Sequence, residues 1–236
     1  MTRPSILVMA GGTGGHIFPG LAVAEYLRIC GWNVSWLGNQ NGMEYRLVQS
    51  CNFPFEAVEF GGLRGKGLKA KLMLPMNLAR ACFQSWKIMR RLKPSVVLGM
   101  GGYITFPGGL VSKLLKRPLI LHESNSVAGS ANLALAKIAM RTLTGFPNTM
   151  DKAEWVGNPI RQEFDHMPEP ALRYSQRQGP LSILVVGGSL GAAALNENIP
   201  AALALIPKDA RPKVIHQAGD KHLAELQARY AECGVE

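Results

Sequence analysis

Short apolar or β-branched runs alternate with helical patterns along most of the chain. Ser5–Ala10 predicts a strand, and Pro19–Cys30 a helix with Pro19 in its first turn and Gly31 just past its end. Asn33–Leu37 and Phe55–Phe60 predict strands on either side of a short helix near Met43–Ser50. Pro75–Leu92 predicts a long helix, opened by proline and closed before Lys93-Pro94. Strands at Val96–Leu98, Leu119–His122 and Thr142–Thr144 then alternate with helices near Pro107–Leu115 and Ser130–Ala139. This βα rhythm predicts an α/β fold with a doubly wound parallel sheet.

The rhythm breaks between Pro159 and Pro180, a polar stretch with four prolines that reads as an interdomain connection with some local helix. It restarts with a strand at Leu181–Val186, a loop at Gly187–Gly191 and a helix at Ala192–Leu205. Val214–Gln217 and Lys221–Cys233 predict one more strand and helix. The expected domains are therefore 1–160, a connection over 161–179, and 180–236. A two-strand parallel sheet cannot cover its own faces, so the second domain is expected to be incomplete and the chain a piece of a longer protein.

Composition adds exclusions. With 236 residues, 47% hydrophobic and 18% charged, the chain is an ordinary globular sequence. No apolar run approaches the roughly 18 to 20 residues of a membrane-spanning helix. Ile6–Ala10 is too short for a signal peptide and runs straight into a glycine loop. Cys30, Cys51, Cys82 and Cys233 are scattered without a C-x-x-C pair, which reads as reduced thiols in a cytosolic protein.

The net charge of +10 is uneven, with 17 bases against five acids in residues 1–150 and nine against 11 afterwards. The first part should therefore face something anionic: nucleic acid, a phospholipid surface or a phosphorylated substrate.

Three strands end in glycine-rich turns, at Gly11–His16, Gly99–Tyr103 and Gly187–Gly191. Glycine lets backbone approach a ligand, and a following helix offers unpaired N–H groups, so a diphosphate is the natural guest. Tight βα turns are the plainer explanation for any one loop. Three at equivalent strand ends favour the ligand, which in open α/β sheets sits beyond the carboxyl ends of the strands. No Gly-Lys-Ser/Thr ending occurs, G-x-G-x-x-G fails at Ile17, and the second strand ends in Gly38-Asn39 without an acid for a ribose. These departures argue against ATP and NAD.

The strings GGTGGHIFPG (Gly11–Gly20), GMGG (Gly99–Gly102), HESN (His122–Asn125), GNPIR (Gly157–Arg161) and GGSLG (Gly187–Gly191) occur in that order. Together they resemble the MurG family of bacterial cell-wall synthesis. That resemblance implies an inverting glycosyltransferase of GT-B type, with two Rossmann-like domains facing each other across a cleft, in a chain longer than this one. The implied reaction moves N-acetylglucosamine from UDP-N-acetylglucosamine to undecaprenyl-pyrophosphoryl-muramoyl-pentapeptide. It also implies a peripheral place on the cytoplasmic face of the inner membrane, among cell-wall synthesis and division proteins. A UDP-sugar epimerase of the same architecture is the alternative enzyme. A membrane-attached fragment that only binds the acceptor diphosphate is the alternative without catalysis.

The resemblance assigns Thr13, Gly14, Gly15, Asn125, Arg161 and Ser189 to the nucleotide sugar, while Gly101, Gly102 and Tyr103 of the second glycine loop are the candidate acceptor-diphosphate site. For Asn125 and Arg161 the residues alone suggest interdomain hydrogen bonds instead. His16 is the candidate base, since an imidazole near its ordinary pKa can take a proton from a sugar hydroxyl; donating a hydrogen bond to phosphate or capping the helix is its blander role. Glu123 either orients its loop or supplies the catalytic carboxylate. His122 reads as structural, and His216 and His222 as solvated. No Asp-x-Asp occurs, so neither metal nor other cofactor is expected, and the leaving diphosphate would be held by helix N-termini and backbone N–H groups.

Helix Pro75–Leu92 carries the remaining signal. Leu78, Ala81, Cys82, Ser85, Met89 and Leu92 share one face, which should pack on the sheet. Met76, Ala79, Phe83 and Trp86 fall opposite, among Arg80, Lys87 and Arg90, with Lys69, Lys71, Arg91 and Lys93 nearby. A core helix needs no second apolar stripe, so this one predicts contact with an anionic membrane surface. Cover by a neighbouring loop is the alternative. Nucleic acid is not expected, because no recognised motif accompanies the bases.

Overall fold

The structure is a computed structural model that describes residues 3–61, 72–164, 166–188, 191–219 and 221–235. It divides into two compact units, Met1–His166 and Met167–Glu236.

The first unit is a parallel sheet of seven strands: β1 Ser5–Ala10, β2 Asn33–Gly38, β3 Phe55–Ala57, β4 Val96–Gly101, β5 Leu119–Glu123, β6 Arg141–Thr144 and β7 Glu154–Trp155. Its helices are α1 Gly14–Ile29, α2 Met43–Ser50, α3 Leu74–Leu92, α4 Thr105–Leu114 and α5 Ser130–Ala136. Strand order is β3-β2-β1-β4-β5-β6-β7, so the winding reverses between β1 and β4. At such a switch point the two adjacent loops leave in opposite directions and open a crevice at the carboxyl ends of the strands. The first two glycine loops lie there.

Both faces of the sheet are covered, which is why β1 is apolar at every central position. Leu7 and Met9 point into one layer with Ala81 and Met89 of α3, Ile104 just before α4 and Leu135 of α5. Ile6, Val8 and Ala10 point into the other with Ile17, Leu21, Ala24 and Val48 of α1 and α2. Trp36 is fully buried in that second layer and donates its indole N–H to the Ala10 carbonyl at 3.1 Å. Gly20 makes room for it, since a Cβ there would lie 2.8 Å from the indole.

Several boundaries differ from the sequence reading. Helix α1 begins at Gly14, so Pro19 sits inside it and not in its first turn. Proline has no N–H to pair with the carbonyl four residues back. That carbonyl belongs to Gly15, which is exposed at the helix start. Strand β3 stops at Ala57, because Val58 and Phe60 turn away to bury in the α3 layer. Helix α4 starts two residues early, β4 runs on to Gly101, and α5 ends at Ala136. Strand β7 is only two exposed residues long and carries no periodic signal. Helix α3 closes as its sequence suggests, with Lys93 left-handed (φ 48°) before Pro94. No described helix is long and apolar enough to cross a membrane.

The second unit pairs two parallel strands, β8 Ser182–Val186 and β9 Lys213–Gln217, with α6 Pro170–Ser175, α7 Ala193–Ala204 and α8 Leu223–Glu232. Val185, Leu203 and Leu226 are buried. The opposite side of the strand pair, with Leu184 beside Ile215, is bare. The loops after β8 and β9 meet where Gly191 packs on the Ala218 carbonyl, which also accepts the Asn196 amide N–H at 3.1 Å.

Candidate active site

The loop after β1 is organised around Thr13, which caps α1 with extended backbone (φ −137°, ψ 157°). Its carbonyl accepts the N–H groups of His16 at 3.1 Å and Ile17 at 3.2 Å. The N–H groups of Gly14 and Gly15 belong to the first turn, where no intrahelical acceptor exists. Among the described residues neither has a backbone partner, so both are available to an anion beside the positive end of the helix dipole.

The loop after β4 locks onto this one. Gly101 (φ +106°) and Gly102 (φ +86°) adopt backbone that side chains rarely tolerate. A Cβ on Gly102 would overlap the Gly11 carbonyl, and one on Gly101 would lie 2.6 Å from His16 Nδ1. The edge of Tyr103 stands 3.5 Å from where a Cβ on Gly12 would lie, and burial pushes the Tyr103 phenol up, with the charge of Glu44 adding to the effect.

His16 is the third residue of α1 rather than the tip of a loop. Its Nδ1 lies 3.3 Å from Ser124 Oγ, at the end of β5. Burial holds its pKa below the ordinary 6.5, against the opposing influence of Glu123 and the Met100 backbone. The ring is therefore neutral at pH 7 and able to accept a proton, as a general base requires.

Glu123 is buried and fully engaged. Oε1 accepts the backbone and side-chain N–H groups of Asn125 at 3.0 and 2.8 Å, while Oε2 accepts Gly129 N–H at 2.9 Å and Asn132 Nδ2–H at 3.0 Å. Burial works to raise its pKa, but these donors together bring it below the usual value. Of its two expected roles, this geometry fits the ordering of the Ser124–Gly129 loop and leaves no oxygen free for a substrate proton. His122 Nε2–H donates to the Gly157 carbonyl at 2.9 Å, leaving Nδ1 buried without a partner among the described residues. Asn158 Nδ2–H donates to the Ser124 carbonyl at 3.1 Å. The HESN and GNPIR segments are thereby stitched together.

An open pocket of about 360 Å³ lies along this seam, lined by Gly15, Phe18, Pro19, Ser124, Asn125, Asn158, Pro159, Ile160, Arg161 and Phe164. The Arg161 guanidinium stacks 5.5 Å from the Phe18 ring and 5.2 Å from that of Phe164, which orients a half-exposed cation at the pocket. Thr13, Gly14, Gly15, His16, Gly101, Gly102, Tyr103, Asn125 and Arg161 all belong to the first unit, where Gly14, Gly15 and His16 open α1, Gly101 ends β4 and the others lie in loops. Ser189 lies outside the described residues. Sequence reasoning missed Phe18, Phe164 and Asn158, although Asn158 stands within GNPIR. It also missed Glu44, for which the flanking Gly38 and Gly42 were the available signal.

The stripe on α3 needs one correction. Met76 and Phe83 are exposed at 58% and 54%, but Trp86 is half-buried and packs on the core. Phe83 and Trp86 stack at 5.9 Å, with Lys87 over Phe83 and Arg90 over Trp86. Arg80 pairs with Glu59 and Arg91 with Glu56, so part of the basic charge is compensated locally. Lys69 and Lys71 lie outside the described residues.

Residues 6–144 match the glycosyltransferase family 28 N-terminal domain and residues 182–236 the family 28 C-terminal domain. The chain is 88% identical over 235 residues to the UDP-N-acetylglucosamine–N-acetylmuramyl-(pentapeptide) pyrophosphoryl-undecaprenol N-acetylglucosamine transferase of Polynucleobacter asymbioticus, covering 100% of this chain and 66% of that protein. The enzyme of the same name from Paraburkholderia xenovorans is 60% identical, with 100% and 63% covered. Among solved structures, MurG of Acinetobacter baumannii matches with a TM-score of 0.77 at 39% identity, over 98% of this chain and 65% of that one. The chain thus spans slightly less than two thirds of the length of these relatives. Its glycine loops, their place at the switch point and both domain matches lead to one assignment: the chain belongs to glycosyltransferase family 28.

Proposed function

We propose that this chain is part of an inverting N-acetylglucosaminyltransferase that moves the sugar from UDP-N-acetylglucosamine to undecaprenyl-pyrophosphoryl-muramoyl-pentapeptide. The observation that carries the reading is a neutral, half-buried His16 set beside two uncommitted N–H groups at the start of α1. A muramoyl hydroxyl attacks the anomeric carbon, and its proton passes to the imidazole of His16 as the C–O bond forms. The bond to UDP breaks on the opposite face, which inverts the anomeric centre. Developing charge on phosphate oxygens is met by N–H groups and by Arg161, in place of a metal ion.

Thr13, Gly14, Gly15, Asn125, Arg161 and Ser189 are proposed to hold the nucleotide sugar, and Gly101, Gly102 and Tyr103 the acceptor diphosphate. The exposed Met76 and Phe83, with Arg80, Lys87 and Arg90, are proposed to rest on the anionic cytoplasmic face of the inner membrane. The relatives' shared name favours transfer over epimerisation.

The test is a chimera in which residues 1–236 replace the matching part of the Polynucleobacter relative. The expected result is a β-linked disaccharide on the lipid, formed only when both substrates are present. A folded chimera that releases UDP without acceptor would instead favour the epimerase. The 236-residue chain alone is expected to bind the acceptor diphosphate and transfer little or no sugar.

A further inference from the structure

Glu44 is the second residue of α2 and is fully buried. Its Oε2 accepts the Gly12 N–H at 3.3 Å and its Oε1 the Asn39 N–H at 3.0 Å. The N-terminal dipole of α2 favours a negative charge at this position. Three glycines from three segments clear space for the side chain. A Cβ on Gly11 would lie 2.6 Å from Oε1, one on Gly38 would lie 2.8 Å from Cγ, and one on Gly42 would overlap the carboxylate. Gly11, read as a residue that admits a ligand, therefore also admits an internal carboxylate.

The contacts radiate from there. Asn39, held by Glu44, donates its side-chain N–H to the Phe60 carbonyl at 3.1 Å. Phe60 stands 6.4 Å from the Tyr103 ring, and Tyr103 in turn flanks Gly12. The segments that follow β1, β2, β3 and β4 are thus connected through one acid. Burying a carboxylate is costly unless its oxygens are hydrogen-bonded, and here backbone N–H groups from two strand ends meet that need.

We propose that Glu44 is a positioning residue of the diphosphate site: by engaging the Gly12 N–H it fixes that peptide and leaves those of Gly14 and Gly15 as the pair presented to phosphate. This rests on the reading that the start of α1 receives a diphosphate. Glu44→Gln retains one acceptor oxygen and sets an NH₂ group against the other backbone N–H. Glu44→Asp keeps the charge but is one methylene too short to reach both donors.

The experiment follows backbone amides of the 236-residue chain by NMR and titrates inorganic pyrophosphate into the unaltered chain and both variants. In the unaltered chain pyrophosphate should shift Gly14 and Gly15, while the Gly12 amide stays slow to exchange. In both variants Gly12 exchange should quicken by about tenfold, with Leu98 and Leu121 of the core unchanged as the check on folding. The pyrophosphate Kd should rise by about fivefold in both, the scale of one misplaced hydrogen bond. Normal binding by Glu44→Asp with altered binding by Glu44→Gln would assign the effect to charge and overturn the positioning role. Unchanged Gly12 exchange, or unchanged or tighter binding in both variants, would overturn it too. No binding by the unaltered chain would remove the diphosphate reading itself and this role with it.

Discussion

His16 Nδ1 lies 3.3 Å from Ser124 Oγ, although 108 positions separate the two residues in the chain. The contact spans the ends of β1 and β5, with β4 between them in the sheet. It gives the imidazole a fixed orientation from outside its own helix, which a base must have before its pKa matters.

For a full-length enzyme carrying this sequence, His16→Ala should reduce turnover by about 10²- to 10⁴-fold, the usual range for losing a positioned base. Binding of UDP-N-acetylglucosamine should survive. Because burial depresses the His16 pKa, its neutral form persists below pH 6.5. The acid limb of kcat/KM should therefore fall below that value and vanish in the Ala variant. Near-normal turnover at every pH would remove His16 from the base role.

Stability should carry a related signature from His122. Burial lowers its folded pKa below 6.5, although the Gly157 carbonyl and Glu123 oppose the shift. Between 6.5 and that lower value the unfolded chain holds more protons than the folded one. Stability must then fall as pH falls through this window, at no more than about 1.4 kcal/mol per pH unit for one group. His122→Gln, which keeps an N–H for the Gly157 carbonyl, should flatten the slope. Urea unfolding from neutral to mildly acidic pH measures it directly.

On α3, exposure separates two substitutions that the sequence pattern treats alike. Phe83→Ser should weaken binding to phosphatidylglycerol vesicles with little change in Tm, because more than half of the residue is already exposed. Trp86→Ser should lower Tm as well, since that ring packs on the core. Vesicle cosedimentation should also weaken with added salt, as screening shortens the reach of Lys87 and Arg90. Binding indifferent to salt and to Phe83→Ser would deny the helix a membrane role.

The parallel sheet was legible because strands buried on both faces are continuously apolar, as Ser5–Ala10 shows. The helix start at Gly14 was not, since four glycines in the five residues 11–15 read as loop by propensity, yet Gly14 and Gly15 are helical. Strand β7 was hidden for the opposite reason, being two exposed residues whose place is set by pairing with Leu143 and Thr144. Among site residues, those inside distinctive strings could be found from sequence. Glu44 is marked in the sequence only by the flanking Gly38 and Gly42, because its importance comes from the Gly12 and Asn39 amides, which lie outside its own helix. Trp86 was misplaced because helical phase alone does not reveal how far the core extends around α3, where Trp86 packs against it.

Helix α1 opens on Gly14 and Gly15 and meets Pro19 in its second turn, so its start draws little on helix propensity. Pro19 also has no N–H for the Gly15 carbonyl. What holds the turn is tertiary: Gly14 and Ile17 are buried, and Ile17 packs in one layer with Val8 and Leu21. The N–H groups at the start of α1 are therefore held in place by the packing of the sheet rather than by the helix itself.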